Sequence, residues 1–135
     1  MVVLTDPPGF AKRSRKATAQ QGYAFENKVG RKLRRLADGL GWQLWEQQWL
    51  WEKDKYHCPD FVLIAPSGCA IIVEAKLTLC ETDNQRFKYE GLLTQLGHPA
   101  ISVTVCKNLT PAVDQDYLVT ELEDIFPDAV VHLWL

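Results

Sequence analysis

The chain has 135 residues, enough for one domain with a substantial hydrophobic core. Apolar residues make up 47% and charged residues 24%, a balance that excludes a disordered or fibrous chain. No apolar run approaches the roughly 18 residues of a membrane span, and the Pro-rich N-terminus does not fit a secretory signal. We therefore expect an intracellular, cytoplasmic protein with no membrane partner.

The four cysteines show no CxxC pairing, and three of them fall in predicted strands. This spacing does not predict a zinc site or a disulfide framework. We expect reduced, buried thiols, as in a protein of a reducing compartment.

The net charge of −2 hides an asymmetry along the chain. Residues 1–35 contain nine Lys or Arg and two Asp or Glu, a balance of +7, whereas the rest of the chain has a balance of −9. A basic N-terminal quarter predicts a surface that faces a polyanion such as nucleic acid. A solvated tail with a charged helix face explains the same charges equally well.

The sequence predicts a basic, loosely ordered arm over residues 1–19 and a single domain over residues 20–135. The arm contains two prolines, a glycine and the cluster KRSRK, which could track phosphates. Residues 20–40 have the apolar spacing of an amphipathic helix, with lysines and arginines on the opposite side. Arm and helix together form the expected basic surface.

Glu26 falls at the border of the apolar stripe of this first helix, away from the basic side. Gly22 and Gly30 stand one turn before and after it, on the same face. A glycine in a helix interior costs about 1 kcal/mol relative to alanine. The pair therefore indicates close approach of another backbone or a ligand to Glu26, with incidental glycines as the alternative.

Residues 42–52 contain four tryptophans and alternate imperfectly, which predicts a first strand with a bulge or with burial on both faces. Packing of these rings in the core is favoured over stacking on nucleic-acid bases. The next segment, EKDKY at residues 52–56, predicts a polar turn.

A β-hairpin is predicted where two apolar runs, FVLIA and CAIIV, flank the residues Pro66-Ser67-Gly68. If these three residues form the loop, counting outward places Asp60 opposite Glu74. Directly opposed residues have Cβ atoms about 4.5–5.5 Å apart, so the two carboxylates repel unless a cation or a proton lies between them. Lys76 points from the same face as Glu74, roughly 6–7 Å further along the strand.

Downstream of the hairpin the sequence predicts a helix over 83–97, a strand over 98–108, a helix over 110–126 and a strand over 129–135. The predicted order is thus helix, three strands, helix, strand, helix, strand. This order is typical of a single α/β domain with a mixed central sheet between helices.

Four residues are expected to converge on one place: Glu26, Asp60, Glu74 and Lys76. An acidic cluster of this kind suits a hard divalent cation such as Mg²⁺, which takes oxygen ligands. A metal there could polarise a phosphodiester, generate hydroxide and neutralise charge on the leaving oxygen. A lysine beside it could orient the attacking water or stabilise the transition state.

The sequence resembles the PD-(D/E)xK nuclease superfamily in Pro59-Asp60, then thirteen residues, then Glu74-Ala75-Lys76. Glu26 matches the acidic residue that many members carry on the first helix. The resemblance covers about residues 20–106 and implies the family's αβββαβ core, to which this chain adds a C-terminal helix and strand. It implies that Asp60, Glu74 and the main-chain carbonyl of Ala75 bind Mg²⁺, or Mn²⁺ as a substitute. It also implies that Lys76 acts in catalysis and that Glu26 supports the metal or its water.

Many members of this superfamily carry a glutamine or tyrosine on the helix after the lysine, and both Gln85 and Gln95 are candidates here. Compact single-domain members include resolvase-like and phage-type or virus-type nucleases. The resemblance therefore implies a nucleic-acid partner, DNA rather than RNA, contacted by the basic arm and the first helix. It also allows a homodimer.

Two other interpretations of the sequence compete with the nuclease. One is a catalytically inactive nucleic-acid-binding or assembly subunit with the same fold, in which the acidic cluster is vestigial. The other is a structural α/β domain whose Glu74 and Lys76 form only an ion pair where a strand emerges into solvent. Retention of paired carboxylates argues against a vestigial site, because their repulsion has no benefit without a cation.

Overall fold

A computed structural model describes residues 1–9, 17–79, 83–109 and 130–134 of the chain. The helices in these ranges are α1 (Ala17–Leu40) and α2 (Asp83–Gln95). The strands are β1 (Val3–Thr5), β2 (Gln43–Glu46), β3 (Trp49–Glu52), β4 (Lys55–His57), β5 (Phe61–Ile64), β6 (Ala70–Leu79), β7 (Ala100–Leu109) and β8 (Val130–Trp134). Neither α1 nor α2 combines the length and the apolar character that a membrane crossing requires.

The main sheet has five strands in the order β2-β5-β6-β7-β8. Only β6 and β7 pair in parallel, and the chain passes through α2 between them. The other neighbouring pairs are antiparallel. The prediction of a single mixed α/β domain is confirmed, and β8 confirms the predicted final strand. The predicted third helix, at residues 110–126, lies outside the described residues.

The hairpin of β5 and β6 has the predicted register, with Val62 opposite Ile72 and Phe61 opposite Val73. Its loop is closed by a hydrogen bond of 2.9 Å from the Ala65 amide to the Cys69 carbonyl. Gly68 has a φ of 93°, in the left-handed region that favours glycine. The next position beyond the last strand pair brings Asp60 opposite Glu74.

Both faces of the main sheet are buried, which explains why β5 and the first half of β6 are continuous apolar runs. On one face α1 covers the sheet with Val29, Leu33 and Ala37. On the other face α2 covers it with Tyr89, Leu92 and Leu93. Burying one such large apolar side chain stabilises the fold by about 1.5–3 kcal/mol. Alternation along β6 then directs Glu74, two residues after Ile72, to the α2 face.

The prediction of one strand over residues 42–52 is wrong, because this segment forms two strands in two different sheets. β2 joins the main sheet, whereas β3 lies in a small sheet of order β1-β3-β4. The chain turns at Gln47, whose φ of 49° is left-handed. The polar turn after β3 is confined to Lys53 and Asp54, with φ values of 50° and 62°. Two consecutive left-handed residues are typical of a tight two-residue hairpin.

The tryptophans of this segment divide between core and small sheet. Trp42 packs against the cluster on the α1 face and Trp45 against the cluster on the α2 face, which confirms core packing for these two. Trp49 and Trp51 are half-buried, and both rings contact Tyr56, at centroid distances of 6.3 and 5.8 Å.

The prediction of a loosely ordered arm over residues 1–19 is wrong for Val3–Thr5, which form β1. This strand pairs antiparallel with β3, so the N-terminus closes the small sheet. α1 begins at Ala17, three residues earlier than expected. The basic cluster at residues 12–16 lies outside the described residues.

Candidate active site at the end of the hairpin

The hairpin brings Asp60 and Glu74 side by side, and each carboxylate is held by the main chain of the opposite strand. The Ala75 amide donates a hydrogen bond of 2.9 Å to Asp60 Oδ2. The Asp60 amide donates one of 3.2 Å to Glu74 Oε1. The local sequence produces this arrangement because the Pro-Ser-Gly loop sets the register. A one-residue slip would turn one carboxylate into the opposite face.

The environment of this pair strongly disfavours two negative charges. Burial, followed by the neighbouring charge of Asp60, raises the pKa of Glu74 from 4.5 to about 9. A proton shared with Asp60 raises this pKa further, while the positive charge of Lys76 lowers it. In the absence of a cation, the pair therefore holds a proton at neutral pH.

The donor atoms of the pair fit a hard divalent cation. Carboxylate and carbonyl oxygens are the ligands that such ions take, and a cation would replace the shared proton in balancing the charge. Within the described ranges, no three His, Cys, Asp or Glu side chains are already gathered as a metal-binding group. The protein side chains of a cation site here would thus be the two carboxylates, with main-chain oxygen and water completing the ligand set.

Lys76 lies two residues after Glu74 on the same face of β6 and is half-buried. Its ammonium group is close enough to lower the pKa of Glu74. Among the residues that the structure describes, it has no hydrogen bond or ion pair. The predicted grouping of Asp60, Glu74 and Lys76 is therefore present in the structure.

Glu26 lies on α1, on the opposite side of the main sheet from Glu74, so the structure does not gather its carboxylate with Asp60 and Glu74 into one group. The Gln47 side-chain amide donates a hydrogen bond to Glu26 Oε1, and the Gln47 main-chain amide donates one of 2.9 Å to the Asp60 carbonyl. Glu26 also lines a groove of about 200 Å³ between α1 and the end of β2. One intervening residue thus connects the helix carboxylate to Asp60.

The thiol of Cys58 lies within electrostatic reach of all three carboxylates. Burial, and then the charges of Asp60, Glu74 and Glu26 in that order, raise the pKa of Cys58 to about 12. A thiol with so high a pKa stays protonated and unreactive at neutral pH. All three carboxylates therefore lie within electrostatic range of this one thiol.

Packing explains why position 30 of α1 is a glycine. A Cβ built at this position would lie 3.0 Å from Cε1 of the Phe61 ring and 3.5 Å from Glu46 Oε1. The close approach that the glycine pattern predicted is present, but the approaching group is the side chain next to Asp60 rather than a ligand. The surroundings of Gly22 lie outside the described part of the chain.

Helix α2 contributes Gln85 and Tyr89. The Gln85 side-chain amide donates a hydrogen bond of 3.1 Å to Tyr89 Oη, which in turn donates one of 3.3 Å to the Cys58 carbonyl. Gln85 and Tyr89 line a small cavity together with Glu74. Burial and the charge of Glu74 raise the pKa of Tyr89. Tyr89 therefore braces the chain two residues before Asp60.

Of the two glutamine candidates, Gln85 is the one beside the carboxylates. Gln95 is the last residue of α2 and interacts instead with the buried carboxylate of Glu52. That carboxylate also accepts a hydrogen bond of 2.6 Å from Lys88 Nζ, which ties the small sheet to α2.

Sequence reasoning missed Gln47, Cys58 and Tyr89 as neighbours of the site. Tyr89 had a signal, since it follows Gln85 by one helical turn and shares its face. No sequence signal pointed to Gln47, because its contact to Glu26 joins residues 21 positions apart through a left-handed turn.

Comparison of the sequence with protein-family models and with curated proteins gives no match. The resemblance to the PD-(D/E)xK superfamily thus remains a prediction, based on the short motif and the predicted order of elements.

Proposed function

We propose that this chain is a Mg²⁺-dependent nuclease that hydrolyses phosphodiester bonds of nucleic acid, with DNA favoured over RNA. The observation that carries the proposal is the pairing of Asp60 with Glu74, each held by a main-chain amide of the other strand. Two carboxyl groups fixed together in a buried place destabilise a fold unless a cation or a proton balances them. A lysine two residues further on adds a positive charge that could stabilise the transition state of phosphodiester hydrolysis.

Asp60, Glu74 and the main-chain carbonyl of Ala75 are the groups that would hold the cation. When bound, the cation supplies a Lewis acid that polarises the phosphodiester and lowers the pKa of water. Mn²⁺ should substitute for Mg²⁺, because both take oxygen ligands in similar geometry.

Lys76 has the proposed role of orienting the attacking water and stabilising the negative charge that develops on the phosphate oxygens. Support comes from its position on the face of Glu74 and from its effect on the pKa of that carboxyl. Glu26 is proposed to hold a water molecule at the site from the α1 side. Gln85, through its cavity shared with Glu74, is proposed to orient a substrate or water oxygen.

Nucleic acid is proposed to contact the basic arm and the outer side of α1. Exposed basic residues in the described part of that side include Lys28, Arg31 and Arg35. Their spacing of three and four positions places them along one stripe of the helix. Phosphate neutralisation by such residues gives affinity without sequence specificity.

A cytoplasmic location and a homodimer complete the proposal. The described cysteines Cys58, Cys69 and Cys106 are free thiols, as expected in a reducing compartment. The proposed homodimer is based only on the resemblance to the PD-(D/E)xK superfamily.

The test is cleavage of end-labelled single-stranded, duplex, flap and four-way substrates with Mg²⁺ or Mn²⁺. We expect cleavage of at least one substrate, and loss of about 10²–10³-fold in rate on Lys76→Ala, the usual effect of removing one group that stabilises developing negative charge. The matched control is Lys53→Ala, an exposed lysine in the hairpin turn after β3, which should cleave at the wild-type rate. The proposal fails if every substrate stays intact, or if Lys76→Ala cleaves as fast as the control.

Calorimetric titration separates the nuclease from an inactive subunit with the same fold. A working site should bind Mn²⁺ with a stoichiometry that Asp60→Asn abolishes. Specific nucleic-acid binding with no Mn²⁺ binding would favour the inactive subunit instead.

A further inference from the structure

Gln47 stands where the chain leaves the main sheet, between the end of β2 and the start of β3. Its φ of 49° is left-handed. Residues with a Cβ avoid this region, because the Cβ crowds the following carbonyl oxygen, and glycine or asparagine tolerates it better. A glutamine is thus less favourable there than a glycine would be, as is also true of Lys53 and Asp54 in the hairpin turn after β3.

The two amides of Gln47 bind two separate parts of the candidate site. The side-chain amide donates to Glu26 Oε1 on α1, while the main-chain amide donates to the Asp60 carbonyl at 2.9 Å. Asp60 in turn donates to Glu74 Oε1 and accepts from the Ala75 amide. A continuous series of hydrogen bonds therefore runs from α1 to β6 with Gln47 at its centre.

The corner around Gln47 is fixed on its other side as well. The preceding residue, Glu46, accepts two hydrogen bonds from Arg34 Nε, of 2.8 and 2.9 Å, and its Oε1 lies 2.8 Å from Arg34 Nη2. Phe61, the residue after Asp60, packs against Gly30 of α1. The left-handed turn is thus held between two contacts to one helix, while the Gln47 side chain itself is exposed.

We propose that Gln47 is a positioning residue that sets the place of the Glu26 carboxylate relative to Asp60, and thereby raises the affinity of the site for a divalent cation. This inference rests on the proposed function, since it concerns the same site. A neutral amide suits the task because it donates N–H to a carboxylate and does not itself take up a proton. Groups that orient metal-site carboxylates through hydrogen bonds in this way typically contribute about 10–100-fold to metal affinity or activity.

The decisive variant is Gln47→Gly. It keeps the main-chain amide that binds Asp60, relaxes the left-handed backbone and removes the side chain that donates to Glu26 and lines the groove beside it. We expect an unfolding midpoint equal to or above that of the wild type, with Mn²⁺ affinity and cleavage rate about 10-fold lower or more. Stability and function would then change in opposite directions, which a residue of merely structural importance would not produce.

Gln47→Met tests the need for a donor at similar side-chain length. It removes the N–H donor without adding a charge, so Mn²⁺ affinity should again fall by about 10-fold or more. An unchanged affinity would count against the proposal.

The matched control is Gln48→Ala. The adjacent glutamine donates to the carbonyls of Thr5 and Trp49, both at 3.1 Å, and so braces the small sheet instead of the site. We expect a lower unfolding midpoint but wild-type Mn²⁺ affinity.

Mn²⁺ binding is measured by calorimetry on the full chain without nucleic acid, alongside thermal unfolding and cleavage. The positioning role is overturned if wild type binds Mn²⁺ and cleaves, and Gln47→Gly matches it within about twofold, well below the expected effect. If the wild type neither binds Mn²⁺ nor cleaves any substrate, the proposed function fails and this inference fails with it.

Discussion

Glu74 is a residue whose protonation depends directly on its neighbours. Its carboxyl is buried beside Asp60, and both effects raise its pKa. A free glutamate on a strand that emerges into solvent would show neither. The sequence could predict the opposition of the two carboxylates, since it follows from counting along the hairpin. It could not predict the burial, because Cys58 and Tyr89 approach from segments whose contacts the local pattern does not contain.

The raised pKa of Glu74 predicts how the metal-free protein responds to pH. A carboxyl whose folded-state pKa is above its unfolded value stabilises the fold below the unfolded pKa, and this contribution is lost as pH rises through the folded pKa. Stability should therefore decline between about pH 4.5 and 9. In Glu74→Gln the decline should be much smaller, leaving the variant more stable than wild type by on the order of 1–3 kcal/mol at pH 8.

Denaturant unfolding in the presence of a chelator, at intervals from pH 5 to 9, measures this difference. Wild type and Glu74→Gln should converge at the acidic end, where both side chains are uncharged. Parallel stability curves across the whole range would show that the Glu74 carboxyl does not titrate as described.

At the scale of the elements, the predicted positions of strands and helices were correct where a glycine or proline marks the turn between them. They were wrong where the backbone turns without a glycine. The register of β5 and β6 follows from the Pro-Ser-Gly loop, and α1 and α2 end before Gly41 and Gly97, both with positive φ. The division of residues 42–52 into two strands was missed, because Gln47 is not a typical left-handed residue.

The packing of α1 on β5 gives a prediction for two glycines of the same helix. Gly30→Ala places a Cβ 3.0 Å from the Phe61 ring, so the overpacking cost of about 1–3 kcal/mol should exceed the helix-propensity gain of about 1 kcal/mol. We expect net destabilisation and slower cleavage, since Phe61 adjoins Asp60.

Gly39→Ala is the control, because no atom outside the local helix backbone lies within 4 Å of the Cβ it adds. That variant should be as stable as wild type or more so, with unchanged cleavage. Equal effects of the two substitutions, measured by thermal unfolding, would mean that helix propensity alone decides and that Phe61 yields without cost.

At the scale of the whole molecule, the candidate site lies at the junction of both sheets and both described helices. Asp60 directly precedes β5, Glu74 and Lys76 lie on β6, Glu26 lies on α1, and Gln85 lies on α2. The mixed α/β class was predictable from the order of apolar runs. The small sheet was not, since it needs the N-terminal residues Val3–Thr5 to pair with β3, which lies more than forty positions away along the chain.

Because the cation would bind only the folded chain, it should stabilise the whole molecule. At a free Mn²⁺ concentration of about 100 times Kd, linkage predicts about 2.7 kcal/mol of added stability, or several degrees in Tm for a chain of this size. Asp60→Asn should lose this shift, whereas Asp54→Asn, at an exposed carboxylate in the hairpin turn, should keep it. Differential scanning calorimetry with and without Mn²⁺ measures this shift in Tm. An equal shift in wild type and both variants would indicate a general effect of ions.

The two layers that cover the main sheet have a consequence for when chemistry can begin. Glu26 arrives with the α1 layer, whereas Gln85 and the Tyr89 brace arrive with the α2 layer, on the opposite face. A newly made or partly unfolded chain with only one layer docked would contain an incomplete site. Under the proposed function, hydrolysis should thus be fastest in the fully assembled fold, where both supporting side chains are in place.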